Sequence, residues 1–452
     1  MVNKLITNFD NWSDDVIKNS IFGKFFKLFK GRFSSRGEPM ARLFSQILIF
    51  SICILFVSLL LPQFAGDRFG IGIIILICFF FFLINLFLNK IKFTFNSIDF
   101  LIIIFLLISL ISSFSSYFFK ESLIGLLKYI LFFLSYLILK VVSQNISKNS
   151  FLFLWSFLFF CAVSIAGIGI HQYIVGVEPL ANWEDPTVED IHTRVYSTLG
   201  NPNLLAGYLL LFLPFGLIIP FETQSNFLTR LFYLIGSIMI FFCLIFTGSR
   251  GGYIGLIAGI LALAFILLSY LLKNTRNKIT STLIFTIVIS MIIIAIFFLF
   301  PVIKERLLTI FTLREHSSNN FRVNVWLACL KLVKDNFLIG VGAGNNTFRL
   351  AYGLYMKSGF DALAAYNIFL EVLIELGILG FFTFILALFL SFVKLHYLFW
   401  ERNNLLSIGI FISIISLIIQ GMVDTVLFRP QIFIPFFFLL ASIGKLEIEE
   451  KD

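Results

Sequence analysis

The sequence predicts an all-α fold, a polytopic bundle of membrane-spanning helices, on three observations. Hydrophobic residues make up 59% of the chain and charged residues 13%, with a mean hydropathy of +0.99. Soluble domains carry roughly a quarter charged residues, and could not hide so much apolar surface. Apolar runs such as Ile71–Leu88 and Ile284–Phe300 approach or exceed the ~18 residues that cross a bilayer as a helix. Residues 71–88 do not alternate polar with apolar positions, which argues against a transmembrane barrel.

Residues 1–42 hold eight Lys/Arg against four acids, without a cleavable signal pattern. Val16, Ile17, Ile21, Phe25, Phe26 and Phe29 repeat at helical spacing, with Lys18, Lys24, Lys27 and Lys30 between them. That pattern reads as a basic helix lying on the cytoplasmic leaflet, or as a basic tail that only sets topology. Spans are expected at 43–62, 71–89, 98–114, 122–140, 150–175, 203–221, 230–247, 252–272, 281–300, 372–393, 405–421 and 430–444. That gives about 12 crossings of about 20 residues each. A single membrane domain therefore covers 43–445, with a short tail at 446–452 and one long polar-containing loop at 301–371.

Charge asymmetry sets the expected orientation. Short loops on the N-terminal side carry twelve Lys/Arg and those on the other side five, which places both termini in the cytoplasm of an inner-membrane protein. The 301–371 loop then lies outside despite its eight basic residues, because long loops translocate largely regardless of charge. The net charge of +9 suits membrane lipids rather than nucleic acid, since no soluble basic domain exists. The five cysteines form no CxxC pair or Cys/His cluster, so neither a metal site nor another cofactor is expected. His171, His192, His316 and His396 show no triad spacing, and no nucleophile elbow or phosphate loop is present.

Candidate chemistry collects on the outer side. Thr247-Gly-Ser-Arg-Gly-Gly252 places Arg250 in a glycine-lined hairpin between apolar helices. Guanidinium offers fork geometry to phosphate or carboxylate, so anion binding competes with a simple topology turn. The loop at 176–200 holds several acids, His192 and Arg194, then Asn201-Pro202-Asn203, where Asn201 can cap the next span. Phe321, Val323, Trp326, Leu327, Leu330 and Val333 repeat at helical spacing, with Arg322, Lys331 and Lys334 on other faces. They predict an interfacial helix with its apolar stripe down on the bundle. Gly340–Asn345 reads as a tight turn between surface helices rather than a nucleotide loop.

Tyr366 and Asn367 precede Glu371 and Glu375, which share a helix face. These carboxylates suit either acid/base work or a favourable helix dipole. Asp424 and Arg429 sit at one turn, where they either pair with each other or leave Asp424 to orient a loop arginine. Lys128, inside the fourth span, either snorkels or serves an anion path.

Ser197–Tyr208, Thr247–Gly252, Arg322 with Trp326, Gly340–Asn345, Ala365–Gly380 and Gly421–Pro430 together resemble the O-antigen ligase/polymerase-like superfamily. In their combination they are most similar to its cyanobacterial IctB-type branch, which is associated with bicarbonate transport. The resemblance covers about 170–445 and implies helical spans with a large periplasmic loop. It also implies that Arg250 and Arg322 occupy positions whose arginines hold a polyprenyl-linked diphosphate in the ligases. There a histidine serves the transfer, and Tyr366 stands at that position here. Three readings stay open: inorganic carbon accumulation, metal-independent glycan ligation or polymerisation from a polyprenyl-diphosphate donor, and a non-catalytic membrane partner.

Overall fold

A computed structural model of the chain describes residues 2–20, 23–24, 38–61, 70–89, 91, 93–178, 194–223, 225–272, 284, 286–288 and 318–448. Among them there is no strand, and ten helices are long and apolar enough to cross a membrane. The spans follow the apolar runs: α2 (Glu38–Ser58), α3 (Gly70–Leu88), α4 (Ser97–Phe114), α5 (Phe119–Asn145) and α6 (Lys148–Val175). After the loop that follows α6 come α7 (Pro202–Phe212), α8 (Phe215–Glu222), α9 (Phe227–Phe246) and α10 (Arg250–Leu271). The last crossings are α13 (Ile368–Trp400), α14 (Leu405–Gly421) and α15 (Pro430–Ile448). Among the described residues three helices lie outside the spans: α1 (Val2–Asn19), α11 (Ser318–Asp335) and α12 (Asn345–Gly353). The expected ninth span, 281–300, lies outside the described residues apart from 284 and 286–288.

Two spans depart from unbroken helices. The segment expected at 203–221 is interrupted between Phe212 and Phe215, where Pro214 has no amide to continue the ladder. Helix α13 begins at Ile368 rather than 372 and is interrupted at Gly377 (φ 64°, ψ −166°). That interruption frees backbone groups that lipid could not satisfy, and the glycine turn after α11 takes them. Val341 N donates to Ile374 O at 2.8 Å, Gly342 N to Glu375 O at 3.1 Å, and Ile378 N to Phe337 O at 2.8 Å. Ser112 of α4 adds a bond to Glu375 O at 2.7 Å. The turn fits only because Gly344 lies flat on Gly125 of α5, where a Cβ would come within 2.6 Å of the Gly125 Cα.

Packing in the spans uses small residues. Gly251, Gly255 and Gly259 recur every four residues on α10, and a Cβ on Gly255 would lie 2.6 Å from the Ser416 carbonyl of α14. This is the small-residue spacing that lets membrane helices approach closely. The loop helices form a separate core in which Val325, Cys329 and Leu332 of α11 pack with Phe348, Tyr352 and Ile374.

The end of the bundle away from this loop is held by buried ions. Lys394, 2% exposed, lies 2.6 Å from Asp10 and 2.5 Å from Glu447. Lys140 pairs with Asp99 at 2.9 Å, and the Tyr136 hydroxyl donates to the same carboxylate. Asp10 and Asp14 also accept from the amides of Ser97 and Phe95 at 2.8 and 3.0 Å. The N-terminal helix thus differs from the expected one. It covers residues 2–19 and docks through its acids onto the start of α4, while Phe25, Phe26 and Phe29 lie outside the described residues.

Candidate functional site

The opposite end gathers the arginines. Ser249 caps α10 by accepting from Gly252 N, so Arg250 is the first helical residue and projects from the N-terminus. Gly248 has φ +59°, and Arg194 lies across it, 3.3 Å from where a Cβ would stand. Arg194 is fixed there by Nε donating to Thr247 O at 2.9 Å and Nη2 to Asn203 Oδ1 at 2.8 Å. Asn201 caps α7, accepting from Asn203 N and Leu204 N, with Pro202 in the first turn.

From Asn203 the contacts run on without interruption. Asn203 Nδ2 donates to Asp424 Oδ2 at 2.5 Å, and Arg322 Nη2 stands 4.0 Å from the same oxygen. The Arg322 guanidinium lies 6.0 Å from the centre of the Tyr366 ring. Of the two arrangements open to Asp424, the contact to a loop arginine is the one observed. Arg250 is brought in by a different route, through Nη1 to Asn319 Oδ1 at 3.0 Å. Asn319 and Arg322 are one turn apart on α11 and so share a face.

Tyr366 is set by its neighbours. Its backbone is left-handed (φ 51°), a strained conformation for an aromatic residue. Trp326 Nε1 donates to Ala365 O at 3.0 Å on one side, and on the other Asn367 caps α13 and donates to Met422 O at 2.9 Å. Phe321 meets the tyrosine ring edge-on at 5.8 Å. Burial raises the phenol above its ordinary value, and Asp424 adds to this, while Arg322 and Arg429 pull the other way. The hydroxyl therefore stays protonated at neutral pH.

Glu371 and Glu375 are buried apart from this cluster, at 1% and 3% exposure. Glu371 accepts from Ala365 N at 2.6 Å, and Glu375 from the Tyr129 hydroxyl at 2.8 Å and Gly344 N at 2.9 Å. Both carboxylates thus hold the backbone that frames the cluster. Lys128 is exposed on the surface of α5, and His192 and His316 lie outside the described residues. Among the described residues no group of three or more His, Cys, Asp or Glu could hold a metal ion.

The sequence reading differs from the structure on α11. Val325, Ala328, Cys329, Leu332 and Val333 face the core, whereas Val323, Leu327 and Leu330 are exposed. Of the expected stripe Val333 is buried and Phe321 packs against the loop core, while Val323, Leu327 and Leu330 face outward, so apolar spacing alone mixed two faces of the helix. Two members of the cluster were also missed. Asn319 carried no signal beyond its helix start. Gln420, which donates to Asn203 O at 2.8 Å, is a lone amide in an apolar run, and that is a signal.

The fold and the cluster define a multi-pass helical membrane protein whose loop end presents arginines near the partly buried Asp424. Residues 235–385 match the family model described as O-Antigen ligase, and over this stretch the chain is O-antigen-ligase-like. The match spans α9 to α13 and so contains Arg250, Arg322 and Tyr366, but not Arg194, Asn203, Asp424 or Arg429. No curated protein matches the chain.

Proposed function

We propose that the protein transfers a glycan from a polyprenyl-diphosphate carrier, as a ligase or polymerase, without a metal. We place the loop end on the periplasmic face of the inner membrane, with both termini cytoplasmic, as the charge count requires. The observation that carries this reading is an apolar cavity that lies below the arginine cluster on the same helix, α10. A cavity of about 350 Å³ is lined by Leu210, Leu213, Leu256, Gly259, Ile260 and Leu263 among others. Its rim residues Ile238 and Phe242 are exposed on the lipid side of α9. Leu256 stands six residues below Arg250 on α10, about 9 Å along the axis. An isoprenoid chain in the cavity would bring its diphosphate to the arginines.

In this reading the bond from the sugar anomeric carbon to the diphosphate oxygen breaks, and the diphosphate departs with the electron pair. Arg250 and Arg322 neutralise the charge that develops, with Arg194 and Arg429 adding to the field. The acceptor hydroxyl forms the new bond and releases its proton to a carboxylate. Asp424, beside Arg322, is the one within the cluster, and Asn203 and Asn201 keep it and Arg194 in place. Tyr366 donates a hydrogen bond or carries a sugar face. Glu371 and Glu375 act as positioning residues.

A second reading, bicarbonate handling of the IctB type, is favoured by Tyr366, which removes the imidazole that the ligases use. One paired assay separates the two. A disrupted strain is complemented with wild type or Arg250→Ala, and surface glycan and bicarbonate uptake are followed together. Lost glycan with intact uptake supports transfer. Intact glycan with lost uptake overturns it in favour of the second reading.

A further inference from the structure

Helix α11 has a second apolar face that the described residues leave exposed. Its inner face is spent on the loop core, with Val325 and Cys329 fully buried. On the other side Val323, Leu327 and Leu330 recur at i, i+4 and i+7, and Leu327 and Leu330 are 56% and 54% exposed. Lys331 and Lys334, each four residues beyond one of these leucines, are exposed and close the stripe. Long basic side chains at the margin of an apolar stripe reach polar head groups while their stems stay apolar.

The stripe leads toward the exposed apolar face of a candidate span, α13. Phe337 and Leu338, just past the helix, are exposed, and the Phe337 carbonyl is bonded to Ile378 N on α13. Immediately below, Leu379, Phe382, Leu386 and Phe389 are exposed at spacings of three, four and three, the lipid-facing stripe of a span. A contiguous apolar surface of this kind marks an interaction site, and its continuity with α13 names the occupant.

We propose that this face of α11 is a lipid-binding surface. Leu327 and Leu330 lie among acyl chains at the leaflet boundary, and Lys331 and Lys334 contact anionic head groups. The same helix carries Arg322 on the flank of its buried face and Asn319 one turn before Val323, so the lipid contact fixes the height of both above the bilayer.

Site-directed spin labelling of the full chain in nanodiscs tests this. Leu327→Cys and Leu330→Cys would each carry a nitroxide, with Ser358→Cys, on an exposed turn, as the water reference. In phosphatidylglycerol-containing discs the proposal expects collision with oxygen to exceed that with a nickel chelate several-fold at 327 and 330. Adding Lys331→Glu and Lys334→Glu should lower that ratio more in anionic than in phosphatidylcholine discs. Nickel accessibility equal to that at 358 would overturn it, since the face would then be in water. Low accessibility to both reagents would also overturn it, since protein would be the occupant, and spin–spin broadening would identify a second copy.

Discussion

The two ends of the bundle hold charge in opposite ways. At the end that receives α1, cations meet acids at contact distance: Lys394 touches both Asp10 and Glu447, and Lys140 touches Asp99. At the loop end, Arg322 stands a loose 4.0 Å from Asp424, which is 15% exposed, and Arg194 and Arg250 join the same cluster through Asn203 and Asn319. Much of the arginine hydrogen bonding there goes to neutral groups, Thr247 O, Asn203 and Asn319. A buried ion pair is self-contained, and its loss is felt as instability. Arginines held by amides keep their charge in place without neutralising it. The first arrangement builds a protein; the second is the one we propose as a site for an anion.

Substitutions at the two ends should therefore separate into different readouts. The largest effect is expected from Arg250→Ala, which should lower glycan transfer by about 10²–10³-fold while leaving the melting temperature in detergent almost unchanged. A matching loss of stability would mean that this end, too, is structural. Lys394→Met should do the reverse, destabilising by about 3 kcal/mol in a thermal-unfolding assay, because Asp10 and Glu447 would lose their shared cation. Gly344→Ala should fall close behind, at about 3 kcal/mol, since a Cβ at φ +99° would press on Gly125.

Smaller effects test finer points. The raised phenol of Tyr366 predicts a transfer rate without a titration step at this residue from pH 6 to 9. Tyr366→His should introduce a limb near pH 6.5. Because the folded value lies above the unfolded one, the stabilising contribution of this phenol is intact below about pH 10 and is lost as pH rises through the folded value. Asn367→Ala removes the cap of α13, at a cost of about 1 kcal/mol, and should move the transfer rate more than the melting temperature because it frees Tyr366.

The spans were legible because their signal is a sum over about twenty residues. Asn201 was legible as a cap because Asn-Pro at a helix start has one reading. The buried face of α11 was not, because Val323, Leu327 and Leu330 keep helical spacing as well as Val325, Cys329 and Leu332 do. Periodicity cannot tell a core from a bilayer when both are apolar. The glycine turn was recognised as a turn, but its seat in the opening at Gly377 depends on pairing between residues far apart in sequence. Likewise the spacing of Asp424 and Arg429 allowed two partners, and only the approach of α11 selected Arg322. The fold was thus written in local composition. The cluster is a product of long-range packing, and most of its members could be named but not connected.

Binding of the carrier itself is the decisive measurement. Purified protein in nanodiscs would be titrated with a polyprenyl diphosphate, comparing wild type with Arg250→Ala and Arg322→Ala. An arginine site for diphosphate predicts saturable binding that weakens at least tenfold in either variant and is unaffected by millimolar bicarbonate. Equal affinity in all three proteins, or displacement of the lipid by bicarbonate, would contradict it.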